Sequence, residues 1–100
     1  MVKKINESYK LIKQAEIFAK CGNWGEEARQ VNSSIIKLDP KNADAYTRLA
    51  RCHILLGNLA SAEQVYQEVL IIYPDNLVAK NNLSRLKKNL PLFNGDKLLQ

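Results

Sequence analysis

The side chains of greatest chemical interest in this sequence are arginines and asparagines. Arg48 and Arg51 lie close together, and Asn81, Asn82 and Arg85 form a second group further along the chain. A guanidinium group binds a carboxylate through two parallel hydrogen bonds, and an asparagine amide can hold a peptide backbone by donating and accepting at once. These residue types therefore favour the binding of an acidic peptide.

The residues that catalysis would need are few and are not suitably arranged. His53 is the only histidine, and no nucleophile motif accompanies it. Cys21 and Cys52 form no Cys-x-x-Cys motif, so we predict neither a disulfide framework nor a zinc site and interpret both as small apolar side chains. The chain also has no glycine-rich phosphate-binding motif. We therefore predict a protein that is not an enzyme, with no metal and no cofactor.

Composition indicates one globular domain. The 100 residues are 46% hydrophobic and 25% charged, with a net charge of +5. The longest apolar run, 69–73, is far shorter than the roughly 20 residues that cross a bilayer. No apolar segment follows the lysines of the N-terminus, so we predict no secretory signal. We expect a cytoplasmic protein without membrane association.

The elements that position these side chains are indicated by an internal repeat of 34 residues. That distance separates Pro40 from Pro74 and Asn42 from Asn76. In each copy, apolar residues recur at helical spacing, a Gly-Asn pair ends a first helix, and the proline ends a second. The two asparagines stand where helix N-caps are expected. No segment alternates with a period of two, so we predict an all-α protein.

This pattern resembles the tetratricopeptide repeat family. The second copy matches that family's pattern through Tyr46, Leu49, Ala50, His53, Ala62, Tyr66, Val69 and Pro74. The first copy matches through Leu11, Ala15, Phe18, Ala28, Ile35 and Pro40. Gln14 replaces the usual leucine and Asn32 the usual aromatic residue, so we expect the first repeat to be less tightly packed.

The resemblance implies a right-handed α-solenoid of five helices. Its domain would span 1–90, with repeat one at about 8–42, repeat two at 43–76, a capping helix at 77–90 and a tail at 91–100. In the capping helix, Lys80 and Lys87 predict a polar outer face. The apolar stripe expected to pack on repeat two comprises Leu77, Ala79, Leu83, Leu86 and Leu90. We expect Trp24, in the turn after the first helix, to pack against the two helices that it joins.

The charges divide unevenly between the helices. The first helices of the copies (1–21, 43–56 and 77–90) carry a net charge of +8, and the second helices (22–39 and 57–73) carry −3. Since first helices line the concave groove of the family that this chain resembles, the resemblance implies a basic groove, which would attract acidic ligands. The candidate peptide-binding residues are Lys13, Thr47, Arg48, Arg51, Asn81, Asn82, Arg85 and Lys88.

Three kinds of function are compatible with this sequence. The first is a non-catalytic scaffold that binds an acidic or extended peptide of a protein partner in its groove. The second is a nucleic-acid-binding helical repeat, which would use the same basic face but has few aromatic residues for stacking on bases. The third is a self-associating assembly or regulatory module of a larger complex, for example a homodimer, because two and a half repeats are short for the family. The sequence does not identify the partner.

Overall fold

The computed structural model describes residues 2–90, with side chains from residue 6 onward. The tail predicted at 91–100 lies outside the described residues. The helices are α1 (Val2–Lys20), α2 (Glu26–Leu38), α3 (Ala43–Leu55), α4 (Leu59–Ile72) and α5 (Leu77–Lys87). There is no β-strand between residues 2 and 90. The prediction of an all-α helical repeat with five helices is therefore confirmed. None of these five helices is both long enough and apolar enough to cross a membrane.

Each helix packs against the helices that precede and follow it in the chain. The hairpins α1–α2 and α3–α4 therefore stack side by side, and α5 packs on α4. The larger core cluster joins α3, α4 and α5 and comprises Tyr46, Leu49, Ala50, Ala62, Val65, Tyr66, Val69 and Ala79. A smaller cluster joins the first three helices and comprises Ala15, Ile35 and Ala45. The apolar core thus runs across the stack, because one hairpin cannot bury its own apolar faces.

Side-chain caps fix the beginnings of α3 and α5. The Asn42 side-chain oxygen accepts a hydrogen bond of 3.0 Å from the backbone N–H of Ala45, and Asn76 accepts one of 3.0 Å from Ala79. Each bond satisfies an N–H group in the first turn of its helix, and the N–H of Ala45 is shared with the backbone oxygen of Asn42, 3.2 Å away. Both predicted N-caps are confirmed.

Glycines end α1 and α3, as the sequence predicts. Gly22 has φ of 69° and Gly57 has φ of 86°, in the left-handed region that favours glycine. At both positions an added Cβ would meet no neighbouring atom, so the constraint is the backbone conformation and not lack of space.

The predicted apolar stripe of α5 is correct only in part. Ala79 is buried, and Leu83 and Leu86 pack against the larger core cluster. Leu77 is 67% exposed, because two residues of helix place it about 160° around the axis from Ala79. Leu90 is 45% exposed, because it lies beyond the end of α5. The prediction was therefore wrong for these two leucines. The outer lysines of α5 are exposed, as expected.

Candidate functional site

A cavity of about 380 Å³ lies where α1, α3 and α5 face one another. Trp24 contributes from the turn between α1 and α2, and Tyr66 contributes from α4. The lining residues are Ala19, Lys20, Trp24, Asp44, Thr47, Arg48, Arg51, Tyr66, Val78 and Asn82. Three of these residues are cationic and one is anionic, so the wall of the cavity is basic. We call this space the α1–α3–α5 cavity.

Arg48 is the central cation of the α1–α3–α5 cavity. Its side chain is half-buried, and its Nε donates a hydrogen bond of 2.9 Å to Oδ1 of Asn32. Burial lowers the pKa of Arg48, while Asp44 and Glu16 act in the opposite direction. An arginine nevertheless remains charged at neutral pH. Among the side chains of residues 6–90, no carboxylate forms an ion pair with Arg48. Within this part of the chain, Arg48 therefore has no carboxylate in ion-pair contact, and Asp44 and Glu16 act on its charge only from farther away.

Asn32, which supports Arg48, is itself fixed by a second hydrogen bond. It is only 1% exposed, and its Nδ2 donates a bond of 2.9 Å to the backbone oxygen of Ala28. That bond orients the amide so that Oδ1 faces the arginine. We expected looser packing here because asparagine replaces an aromatic ring. The buried asparagine instead makes two hydrogen bonds, to Ala28 and to Arg48, which the sequence did not predict.

The positions of Asn32 and Arg48 have equivalents one repeat later, and the residues at those positions also interact. Tyr66 lies 34 residues after Asn32, and Asn82 lies 34 residues after Arg48. The side chain of Asn82 forms a hydrogen bond with Tyr66, and burial raises the pKa of this tyrosine to about 12. One pair of repeat positions thus links the first hairpin to the second and the second hairpin to α5.

Arg51 is held by an aromatic ring. The carbon at the centre of its guanidinium group lies 4.1 Å from the centroid of the Trp24 ring. At this distance the cation is attracted to the face of the indole. We expected Trp24 to pack against the two helices that it joins, and the structure places its ring against Arg51 of α3. The stack places a cation and an aromatic wall side by side in the α1–α3–α5 cavity.

The structure brings together only some of the candidate residues. Thr47, Arg48, Arg51 and Asn82 line the α1–α3–α5 cavity. Asn81 and Arg85 line a second cavity of about 320 Å³, together with Ser84 and Leu90. Lys13 and Lys88 line neither cavity. The Lys13 Nζ atom lies 3.9 Å from Glu16 Oε1 and 5.5 Å from the centroid of the Tyr9 ring. The eight candidates therefore do not form a single site.

Sequence reasoning missed Asn32, Tyr66, Trp24 and Val78 as parts of the site or its support. The repeat itself offered a signal for the first two, because Asn32 and Tyr66 occupy equivalent positions one repeat apart. No comparable signal was available for Trp24, since a residue in a turn has no helical periodicity that predicts its direction.

The remaining reactive side chains are one histidine and two cysteines. Burial disfavours the charged forms of His53 and Cys52, and Cys21 is exposed to solvent. Burial is the main cause that lowers the pKa of His53, with a further contribution from the nearby Arg29. Cys52 is fully buried, and burial raises the pKa of its thiol to about 11. Cys21 is exposed and lies in the turn beyond the end of α1. No group of three or more His, Cys, Asp or Glu residues that could hold a metal occurs in the part of the chain that the structure describes.

Stacked helical hairpins with an open basic cavity define this molecule as a helical-repeat protein. The sequence model of the tetratricopeptide repeat family matches residues 25–86, from the N-cap of α2 into α5. The match covers more than half of the chain, and the protein belongs to this family. Tetratricopeptide repeats generally mediate protein–protein interactions, and the family typically consists of non-catalytic scaffolds. No solved structure matches the chain.

Proposed function

We propose that this protein is a non-catalytic scaffold that binds an acidic segment of a protein partner in the α1–α3–α5 cavity. The observation that carries this proposal is the state of Arg48. This half-buried cation lines the cavity, and no carboxylate among residues 6–90 forms an ion pair with it. A partly desolvated charge interacts more strongly with an opposite charge than a charge in bulk water does. A carboxylate of the ligand would supply the missing partner.

The size and lining of the cavity support a peptide as the ligand. A volume of about 380 Å³ accommodates a few side chains of a peptide, while a folded domain would not enter it. Trp24 and Val78 supply apolar wall beside the arginines. The proposed ligand is therefore an extended segment in which an acidic residue adjoins an apolar one. The carboxylate would meet the guanidinium groups, and the apolar side chain would contact the indole.

A pair of charge-reversal variants tests this proposal. The test variant is R48E/R51E, and the control is K80E/K87E, which reverses two exposed charges on the outer face of α5. Each variant changes the net charge from +5 to +1, so the two differ only in where the change lies. Binding of a labelled glutamate- and leucine-containing peptide is measured by fluorescence anisotropy, and circular dichroism verifies that both variants are folded.

We expect R48E/R51E to lose peptide binding and K80E/K87E to retain it. Equal binding by both variants would contradict the proposal, because the arginines of the cavity would then matter no more than the lysines on the outer face of α5. Wild-type protein that binds single-stranded RNA more tightly than the peptide would favour the nucleic-acid alternative. Light scattering that gives twice the mass of the chain at the working concentration would favour the homodimer.

A further inference from the structure

We infer that Asn32 determines which ligands the α1–α3–α5 cavity accepts, because it holds Arg48 through a neutral oxygen and leaves the arginine's charge for an oxyanion of the ligand. This inference rests on the proposed function. Asn32 does not line the cavity, so its role would be to position Arg48, which does. The ligand group that it selects is a carboxylate, the planar oxyanion that acidic peptides carry.

Two hydrogen bonds orient the guanidinium group of Arg48. Arg48 donates through Nε to Asn32 Oδ1, and Asn32 donates through Nδ2 to the backbone oxygen of Ala28. The second bond determines which end of the amide faces Arg48, since the nitrogen is already committed to a carbonyl. A guanidinium group is planar, so a bond at Nε restricts the plane in which its two terminal nitrogens lie. With Nε engaged by Asn32, the two terminal nitrogens remain to bind a carboxylate through two parallel hydrogen bonds.

The acceptor that Asn32 offers to Arg48 carries no charge. Aspartate has nearly the same shape as asparagine, and at position 32 it would place a carboxylate 2.9 Å from Arg48 Nε, the distance that the amide oxygen occupies now. The resulting internal ion pair would neutralise the cation. With asparagine at this position, the arginine is oriented by a neutral acceptor. Orientation without neutralisation is what an anion-binding site requires.

The equivalent positions of the second repeat hold a different pair of residues. The equivalent residue of the second repeat is Tyr66, whose hydrogen-bond partner Asn82 carries no charge. The first boundary therefore combines a short neutral acceptor with an arginine, and the second combines a tyrosine with an amide. Between the first and second hairpins, Asn32 occupies the place of an aromatic ring and accepts a hydrogen bond from Arg48. The cationic character of the cavity thus depends on a pair of residues, 32 and 48, and not on Arg48 alone.

Three variants test the inference by peptide binding. N32D introduces a carboxylate beside Arg48, N32L removes the acceptor without adding charge, and Q64E adds the same charge at an exposed position of α4 outside the cavity. The probe is the labelled glutamate- and leucine-containing peptide with an amidated C-terminus. A phosphoserine-containing version and a version with a free C-terminal carboxylate distinguish the sources of the oxyanion. We expect Q64E to bind the amidated peptide like the wild type, N32L to bind more weakly, and N32D to lose at least about tenfold in affinity.

A second measurement does not need a ligand. The Nε–Hε NMR signal of Arg48 is expected to exchange slowly with water in the wild type and rapidly in N32L, since only the wild type provides an acceptor. If N32D does not fold, N32L carries the test, and a folded N32L with wild-type affinity for the peptide would overturn the inference.

The outcomes separate this inference from the proposed function. Wild-type protein that does not bind the amidated peptide would overturn both. Wild-type binding combined with equal affinities of folded N32D and Q64E would overturn the inference alone. Equal losses in N32D and N32L would also overturn it, because a carboxylate at position 32 would then cost no more affinity than loss of the acceptor, and the neutrality of Asn32 would not matter. A preference for the phosphoserine-containing or free C-terminal version over the amidated peptide would overturn the assignment of a side-chain carboxylate.

Discussion

The caps of α3 and α5 offer a prediction with an internal control. Asn42 and Asn76 each accept a hydrogen bond of 3.0 Å from a helical N–H, while Asn58, at the N-cap of α4, makes no such bond through its side chain. The same substitution, asparagine to alanine, can thus be made at three helix beginnings, of which two have a capping bond. The caps also concern the site, because Arg48 and Asn82 each lie six residues after one of the two bonded caps.

The expected magnitudes follow from the presence or absence of this bond. Loss of a side-chain cap costs about 1 kcal/mol of unfolding free energy, so N42A and N76A should each be destabilised by about that amount. N58A removes no capping bond and should cost less than about 0.5 kcal/mol. The two bonded caps lie on different helices, so the double variant should lose about 2 kcal/mol. For a domain of this size, each kcal/mol corresponds to a decrease of about 4–8 °C in Tm.

Urea denaturation followed by far-UV circular dichroism measures these differences at equilibrium. The midpoint should fall in N42A and N76A, with an unchanged slope, because the surface exposed on unfolding is the same. A loss in N58A as large as that in N42A would refute the reasoning, since the effect would then reflect asparagine at a helix beginning and not the bond that it makes. A double variant no less stable than either single variant would refute the claim that the caps act independently.

Three further predictions concern titratable side chains. Burial raises the pKa of Tyr66 to about 12 from an ordinary value near 10. The stability that this tyrosine contributes is therefore complete below pH 10, and the free energy of unfolding should decrease by about 2–3 kcal/mol between pH 10 and 12. Urea midpoints of the wild type and Y66F over that range measure this, and an equal decrease in Y66F would contradict it. The pKa of His53 is lowered, so the neutral form is favoured in the folded state and stability should decrease as the pH falls below the ordinary histidine value of about 6.5. H53Q should be less sensitive to this change, and an identical acid profile would count against burial of the imidazole. At neutral pH, iodoacetamide should modify the exposed Cys21 and spare Cys52, because Cys52 is buried and the pKa of its thiol is about 11. Mass spectrometry that finds both cysteines alkylated in the native protein would contradict the buried position of Cys52.

The fold could be predicted from the sequence because its main features are local and repeated. Pro40 and Pro74, a repeat apart, mark the ends of second helices, and the two capping asparagines mark the beginnings of the helices that follow. Glycines with positive φ end the first helices. Each of these residues acts through its own backbone or through a bond to a residue three positions away, so the printed sequence contains the information directly.

The site could be predicted only in part, because it depends on contacts between helices. That Arg48 and Arg51 would lie on the same wall followed from their spacing on one helix. The hydrogen bond from Arg48 to Asn32 and the stack of Arg51 on Trp24 join residues that are 16 and 27 positions apart. Such contacts depend on how neighbouring helices are rotated about their axes. Arg85 shows the same limitation, since it carries the expected charge but lines a different cavity.

The central claim is that the α1–α3–α5 cavity presents cations to an acidic peptide, and an NMR titration tests it most directly. The protein is labelled with nitrogen-15, and the signals of backbone and side-chain N–H groups are followed as the glutamate- and leucine-containing peptide is added. We predict that the largest shifts occur at the Nε–Hε groups of Arg48 and Arg51, at the indole N–H of Trp24, and at the backbone of α3 and α5 that lines the cavity. Shifts confined to α2 and the outer surface of α4, or no shifts at saturating peptide, would contradict the claim.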